Sequence, residues 1–248
     1  MKNRNCYLVI LQTNKVILNL KGKQDMMSKT SFSFVLLLSV FMIAACSRVN
    51  GDSFNDKDKP TQEELSKLSK AYFASGCFWC VEAIFESVNG VAEAVSGYAG
   101  GEIKNPTYQQ VSAGKTKHAE AVEVYYDSSV VSFETLVKVF FGSHDPTTLN
   151  RQGPDAGPHY RSVAFYQNEA EKQIIEAQIE ALNRSGYYNG KIVTEVTALD
   201  IFYPAEDYHQ DYEKRNPYNS YLQLVSIPRL NKFKEKFPEL LKKEAMAH

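Results

Sequence analysis

The chain has 248 residues, with 28 Lys and Arg, 29 Asp and Glu, and a formal net charge of −1. This length permits one or two domains with a sizeable core. Residues 1–45 hold six of the basic residues and one of the acidic residues, so the remainder carries a net charge of −6, which argues against a nucleic-acid partner.

The amino-terminal region predicts a secretory signal peptide. Its apolar run from Phe32 to Ala45 is shorter than the roughly 20 residues that a membrane-spanning helix needs. The run ends in IAAC, which resembles the lipobox of bacterial lipoproteins, where the cysteine (here Cys46) is acylated. We expect residues 1–45 to be a leader, with Met26 or Met27 as its start. The protein is then lipid-anchored in the cell envelope, on the extracytoplasmic face; an uncleaved anchor is the alternative and gives the same compartment.

The rest of the chain divides into three predicted segments. Residues 46–69 are polar and charged, which predicts a flexible spacer, although TQEE at 61–64 matches a capping box. Residues 70–221 predict one mixed α/β domain, and residues 222–248 predict a helical tail. The predicted strands are Lys70–Ala74, Val91–Tyr98, His118–Tyr126, Ser162–Tyr166 and Thr194–Leu199, and the predicted helices begin after Cys77, Ser132 and Asn168.

Two cysteines, Cys77 and Cys80, enclose Phe78 and Trp79 directly after the first predicted strand. Apolar residues then recur at helical spacing, so we expect a helix that begins near Cys77. Unpaired N–H groups and the dipole at a helix N-terminus favour an anion. The spacing therefore predicts that Cys77 is a reactive thiolate near neutral pH and that Cys80, one turn later, can form a disulfide with it.

A pair of cysteines at this spacing also occurs in structural disulfides and in zinc sites. A zinc site needs two further soft ligands, whereas the chain has four cysteines in all and its five histidines are scattered singly. A disulfide that closes so short a loop stabilises a fold little. Because Cys6 and Cys46 belong to the leader and the anchor, we predict that the remaining pair serves redox catalysis, with no metal and no cofactor.

The predicted strand His118–Tyr126 carries one carboxyl group whose surroundings the pattern leaves open. By strand alternation Glu120 shares a face with Val122 and with the apolar residues that follow it. If this face is buried, desolvation raises the pKa of Glu120 and keeps it protonated, as a general acid requires. If the face with Ala121 and Glu123 is the buried one, Glu120 is solvated.

Six segments together resemble the peptide methionine sulfoxide reductase A family. They are GCFWC at 76–80, GYAGG at 97–101, NPTY at 105–108, HAEAVEV at 118–124, the stretch 144–162, and AEDYHQDY at 205–212. The resemblance covers about residues 70–221 in the family's order. It implies an α+β fold, a two-layer α/β sandwich of ferredoxin-like type with a mixed sheet and long coil segments. The implied substrates are oxidised proteins or peptides that contain methionine S-sulfoxide.

The resemblance also implies roles for the matched residues. Cys77 attacks the sulfoxide sulfur, and Glu120, which is thereby placed on the buried face, protonates the sulfoxide oxygen. Tyr108 and Tyr160 match tyrosines that hydrogen-bond this oxygen, because donors aimed at it stabilise the charge that develops there. Asp155 matches an aspartate that helps to orient the site and the substrate.

The recycling step departs from the pattern of many family members. Phe78 and Trp79 match the residues that cradle the methyl group of the substrate. At the position of Cys80, however, many members have Gly, and their resolving cysteines lie in the tail. Residues 222–248 contain no cysteine. We therefore predict that the sulfenic acid on Cys77 condenses with Cys80, and that a thioredoxin-like protein reduces the disulfide of this monomeric enzyme.

Two other functions use the same cysteine pair. A thioredoxin-type disulfide oxidoreductase is the main alternative, although its Trp would precede the first cysteine and smaller residues would separate the thiols. The other is a lipoprotein without enzymatic activity, in which Cys77 and Cys80 form a structural disulfide or a metal clip.

Overall fold

A six-stranded mixed sheet organises residues 59–246, the part of the chain that the computed structural model describes. The predicted leader, Cys46 and the first part of the predicted spacer lie outside these residues. The strands are β1 (Ser69–Ser75), β2 (Val91–Ala99), β3 (Ala119–Tyr126), β4 (Arg151–Gln152), β5 (Asp155–Ala156), β6 (Ser162–Tyr166), β7 (Glu195–Ala198) and β8 (Phe202–Pro204). The sheet order is β7-β6-β1-β3-β2-β8, whereas β4 and β5 form a separate hairpin. Neighbouring strands are antiparallel except for β6 and β7, which are parallel. The predicted α+β class is confirmed.

The helices are α1 (Gln62–Leu65), α2 (Phe78–Glu86), α3 (Tyr108–Ser112), α4 (Phe133–Gly142), α5 (Glu169–Ser185), α6 (Tyr212–Arg215) and α7 (Ile227–Lys236), and a π-helical turn, Leu222–Ser226, precedes α7. The predicted caps of α4 and α5 are confirmed. The Ser132 hydroxyl accepts from the Thr135 N–H at 3.1 Å, and the Asn168 side chain accepts from the Glu171 N–H at 3.0 Å. Such caps satisfy N–H groups that have no partner within the helix.

The main core lies between the sheet and the helices that cover one face of it. Phe73 of β1 stacks against Phe85 of α2 and Phe140 of α4, with ring centroids 5.1 and 5.0 Å apart. A smaller apolar cluster covers the opposite face and includes Ala121 of β3 and Phe165 of β6. The central strands stabilise the fold because they bury apolar surface on both of their faces.

Strand β3 is buried on both faces, which explains why its sequence pattern is ambiguous. Val122 lies in the main core, and Glu120 on the same face is only 2% exposed. Glu123 on the opposite face is also buried, where it accepts hydrogen bonds from Lys70 at 2.8 Å and from Tyr72 at 2.7 Å. The alternative in which Glu120 is solvated is therefore wrong.

The predicted spacer and tail are in part integral to the domain. Leu65 of α1 is buried, and Leu222 and Phe233 from the predicted tail are almost completely buried. The Lys242 N–H donates to the Ser87 carbonyl at 2.9 Å, which ties the end of the tail to the turn after α2. The described residues, 59–246, belong to one structural unit, and apolar side chains of the predicted tail complete its core. Residues 59–246 contain no candidate membrane-spanning helix, since none of their helices has both the required length and the required apolar character.

Gly97 provides a test of how closely the edge strand β8 must approach β2. A Cβ atom at this position would lie 2.3 Å from the Phe202 ring and 2.5 Å from the Tyr203 carbonyl oxygen. We expect Gly97→Ala to lower the free energy of unfolding by about 2 kcal/mol, because β8 must move away. Urea denaturation measures this, and Ala92→Ser, at an exposed position of the same strand, should change it by less than about 0.5 kcal/mol. Equal stability of the Gly97→Ala and native proteins would contradict the prediction.

Candidate active site

Cys77 lies at the start of α2, as predicted, and is itself the N-cap residue of this helix. Its carbonyl oxygen accepts from the N–H groups of Cys80 at 3.2 Å and Val81 at 3.4 Å, which begins the helix. The preceding Gly76 has φ +88°, and a Cβ there would lie 2.6 Å from the Gln152 side chain. A larger residue at Gly76 would therefore disturb the turn that carries Cys77 from the end of β1 to the start of α2.

Glu120 faces this helix start from β3. Its Oε2 atom accepts from the Phe78 N–H at 3.1 Å. Burial raises the pKa of Glu120 to about 8, and the nearby charge of Asp155 adds to the increase. Its carboxyl group is therefore protonated near neutral pH and lies beside the residue that follows Cys77.

The two thiols differ in their surroundings. Burial raises the pKa of Cys77, and the neighbouring Cys80 and Glu120 raise it further. The hydrogen bond from Cys77 lowers the pKa of Cys80 to about 6, with a contribution from the positive charge of Arg229. Desolvation therefore opposes the predicted thiolate at Cys77, although the residue lies at the helix N-terminus. The surroundings thus favour the negative charge of the pair on Cys80.

Aromatic side chains form one wall of the site. The ring of Trp79 stacks on Tyr212 with centroids 3.8 Å apart, and its Nε1–H donates to His209 Nδ1 at 3.2 Å. Phe78 is fully buried, and its ring lies 4.9 Å from the ring of His209. Sequence reasoning gave His209 no role at the site; its position in the AEDYHQDY segment was the available signal.

Tyr108 reaches the site through the capping box of α3. Its N–H donates to Glu206 Oε1 at 3.0 Å, and the Tyr98 hydroxyl donates to Glu206 Oε2 at 2.9 Å. Burial raises the pKa values of Tyr108 and Tyr160, and the nearby charges of Glu120 and Cys77 contribute to both increases. Both phenols therefore remain hydrogen-bond donors on the side of the site where Glu120 lies.

Asp155 and Cys80 are joined by a residue that the sequence did not indicate. The Tyr221 hydroxyl donates to Asp155 Oδ2 at 2.6 Å and lies 3.9 Å from the Cys80 sulfur. Tyr221 is at the predicted end of the domain and belongs to no matched segment, so no local pattern could identify it. The structure thus gathers the predicted residues Cys77, Phe78, Trp79, Cys80, Tyr108, Glu120, Asp155 and Tyr160 around the start of α2, whereas Cys46 lies outside the described residues.

Behind α2, three acidic residues form a cluster of the kind that can hold a metal ion. Carboxylate oxygens of Glu82, Glu86 and Asp211 lie within 4.8 Å of one another. However, the Lys214 ammonium contacts Glu86 at 2.7 Å and Asp211 at 2.8 Å, and Lys59 also pairs with Asp211. These lysines pair with Glu86 and Asp211, whereas Glu82 accepts hydrogen bonds from the Ser96 hydroxyl and the Asp211 N–H, so the cluster supports α2 through ion pairs and hydrogen bonds.

The chain matches the family model described as peptide methionine sulfoxide reductase over residues 69–241. The match therefore continues past residue 221 and includes α7. A relative named peptide methionine sulfoxide reductase MsrA from Natronomonas pharaonis is 48% identical over 68% of this chain and 95% of its own length. The MsrA of Pasteurella multocida is 49% identical over 70% of this chain and 98% of its own length.

Solved structures agree with these sequence matches. Methionine sulfoxide reductase A of Corynebacterium diphtheriae has a TM-score of 0.58 and 32% identity, over 67% of this chain and 92% of that chain. The reduced form of Mxr1 from Saccharomyces cerevisiae also has a TM-score of 0.58, with 33% identity over 61% of this chain and 87% of that chain. The chain therefore belongs to the peptide methionine sulfoxide reductase family and is a thiol-dependent oxidoreductase that reduces methionine sulfoxide.

Proposed function

We propose that this enzyme reduces the S epimer of methionine sulfoxide in oxidised proteins and peptides, with Cys77 as the nucleophile and Glu120 as the general acid. One observation carries this assignment: the Glu120 carboxyl group accepts from the N–H of Phe78, the residue after Cys77, at 3.1 Å. An acid whose pKa is raised by burial therefore lies beside the sulfur that attacks the substrate.

The first step transfers the sulfoxide oxygen to the enzyme. The Cys77 sulfur attacks the substrate sulfur while Glu120 donates its proton to the oxygen. The proton that Cys77 loses then replaces the one that Glu120 donated. Tyr108 and Tyr160 donate hydrogen bonds to the oxygen as its negative charge grows, and Asp155 orients the site. The attack joins the two sulfur atoms, and the oxygen then passes to the Cys77 sulfur as both the S–O bond of the substrate and the bond between the sulfurs break. Methionine leaves, and Cys77 becomes a sulfenic acid.

Phe78 and Trp79 bind the methyl group of the substrate in this proposal. Trp79 is held by its stacking on Tyr212 and its hydrogen bond to His209, so its ring offers a fixed apolar surface. The polar donors on the Glu120 side bind the oxygen. The apolar wall on the Trp79 side binds the methyl group. Such an asymmetric pocket distinguishes the two epimers at sulfur.

Cys80 resolves the sulfenic acid. Its sulfur attacks the Cys77 sulfur, water leaves, and a Cys77–Cys80 disulfide forms. A thioredoxin-like protein then supplies two electrons and two protons that restore the dithiol. The low pKa of Cys80 supports this role, because the thiolate is the nucleophile.

We also propose that the enzyme is a lipid-anchored monomer that repairs oxidised proteins of the cell envelope. The IAAC sequence that ends at Cys46 and the apolar run before it support this location. The acidic remainder of the chain lacks the basic surplus that would attract it to an anionic membrane, so the lipid supplies the attachment.

Substitution of the two cysteines separates the two steps. We expect Cys77→Ser to release no methionine, because the nucleophile is lost. Cys80→Ser should release a single equivalent and then stop, because the sulfenic acid has no intramolecular partner. Methionine release from each sulfoxide epimer, with and without thioredoxin, measures both effects. Multiple turnovers of Cys80→Ser with thioredoxin would contradict the role of Cys80.

Glu120 should control the basic side of the pH profile. The acid is protonated below its pKa of about 8, so the rate of the first step should fall as the pH rises through this value. Glu120→Gln should slow the step by about 100-fold or more and remove this pH dependence. Single-turnover methionine release measures the rate.

Glu123→Gln is the matched control, since Glu123 is buried on the opposite face of the same strand. This variant should keep the native pH profile of the first step. A basic limb that is unchanged in Glu120→Gln would exclude Glu120 as the acid.

The lipid anchor is tested by Cys46→Ala in a bacterial cell. We expect the native chain to be found with the membrane fraction and to incorporate labelled palmitate, whereas Cys46→Ala incorporates none. Cys6→Ala is the control and should behave as the native chain, since Cys6 precedes the apolar run. Palmitate incorporation by Cys46→Ala would refute lipidation at this residue.

A further inference from the structure

The carboxyl-terminal elements place polar groups beside the cysteine pair: Tyr221 interacts with both sulfurs, and Arg229 acts on Cys80. Tyr221, just before the π-helical turn, places its hydroxyl 3.9 Å from the Cys80 sulfur. Arg229 of α7 contributes a positive charge that lowers the pKa of Cys80. Cys80 is only 1% exposed, so little solvent screens this charge.

Arg229 is fixed in place by hydrogen bonds around the start of α2. Its Nε–H donates to the Ser143 carbonyl at 2.8 Å, and its Nη2 group donates to the Ser75 hydroxyl at 3.2 Å. Its Nη1 atom lies 3.6 Å from the position that a Cβ on Gly76 would occupy. The guanidinium group therefore lies next to the turn that leads into the cysteine pair.

The partners of Arg229 leave its charge uncompensated by any carboxylate. The ion pairs among residues 59–246 include none with Arg229, and both of its hydrogen-bond acceptors are neutral oxygens. A half-buried cation with neutral partners favours a nearby anion. The Cys80 sulfur is a group at this location that can become negatively charged by losing a proton, and the charge of Arg229 favours that form.

We propose that Arg229 is a positioning residue that keeps the negative charge of the cysteine pair on Cys80, so that the reductant attacks Cys77 and Cys80 departs as the thiolate. The proposal rests on the Cys77–Cys80 disulfide of the proposed function. It adds the direction in which that disulfide is opened, and it assigns a role to the carboxyl-terminal helix.

The reaction follows the usual course of thiol–disulfide exchange. A thiolate of the thioredoxin-like protein attacks the Cys77 sulfur, the Cys77–Cys80 bond breaks, and Cys80 carries away the electron pair. In the mixed disulfide, the first cysteine of the reductant is bonded to Cys77. The second thiol of the reductant then attacks the sulfur of that first cysteine and releases Cys77. The reductant is oxidised to a disulfide, and its two protons pass to the enzyme dithiol. A leaving thiol of low pKa accelerates such an exchange.

The exposure of the two cysteines supports the same direction. Cys77 retains 6% of its surface, whereas Cys80 retains 1% beneath the first turn of α2. Attack on a disulfide depends on access to the sulfur that is attacked. Cys77 is thus the more accessible sulfur, and Cys80 has the environment that suits a leaving thiolate.

The charge of Arg229 is tested with the full-length protein. We expect Arg229→Gln to slow the reduction of the disulfide by thioredoxin about tenfold and to shift the ultraviolet titration of the Cys80 thiolate to higher pH. The first release of methionine should remain within about twofold, since Cys77 performs it. The titration is measured in a Cys77→Ser background. Subtraction of the signal of the Cys77→Ser/Cys80→Ser protein removes the contribution of the other cysteines.

Two control variants separate charge from structure. Arg229→Lys keeps the charge and should retain the thioredoxin rate within about threefold. Lys232→Gln removes a charge from an exposed position of the same helix and should have no effect. An unchanged Cys80 titration in Arg229→Gln, or an equal loss of both steps, would overturn the proposal.

The direction of attack is tested with a thioredoxin whose second active-site cysteine is replaced by serine. The oxidised enzyme is mixed with this variant, quenched in acid, digested with chymotrypsin and examined by mass spectrometry for the cysteine that carries the adduct. An adduct on Cys77 is expected, and an adduct on Cys80 would refute the proposal; if rapid reversal prevents accumulation, the Arg229 series decides. An enzyme that forms no Cys77–Cys80 disulfide with methionine sulfoxide would instead refute the proposed function.

Discussion

The hydrogen bond from the Phe78 N–H to Glu120 is the interaction on which the site depends. It joins the first turn of α2 to the central strand β3 and holds the carboxyl group at the end of the helix where Cys77 lies. The same burial that makes this contact possible raises the pKa of Glu120 to about 8. The hydrogen bond fixes the position of the acid and by itself lowers its pKa, whereas burial keeps the acid protonated.

Burial also divides the two thiols into different roles. Cys77, beside Glu120, remains protonated in the free enzyme, because desolvation disfavours a thiolate there. Cys80, one turn further along α2, lies near Tyr221 and Arg229, which favour the negative charge. Cys77 is the nucleophile that becomes charged only when it reacts, and Cys80 is the partner whose charge is favoured beforehand. This difference suits a sequence of two displacements.

Most of the supporting contacts come from parts of the chain that are distant in sequence. Glu206 holds the N–H of Tyr108, and His209 and Tyr212 hold the Trp79 ring. The carboxyl-terminal segment supplies Tyr221 and Arg229, and its apolar residues complete the core. The site therefore includes contacts from this segment, in agreement with a family match that extends to residue 241.

The sequence by itself determined the helix start at Cys77, the caps of α4 and α5, and the set of residues that meet at the site, since these depend on local spacing and on recognisable segments. Strand alternation left open which face of β3 is buried, because a central strand covered on both sides shows no polar alternation, and the family resemblance placed Glu120 on a buried face. Only the tertiary structure decided that Glu120 faces α2 and that Tyr221 and Arg229 lie beside Cys80. It also showed that burial opposes the expected thiolate at Cys77, because desolvation depends on what surrounds an atom in space and cannot be determined from its neighbours along the chain.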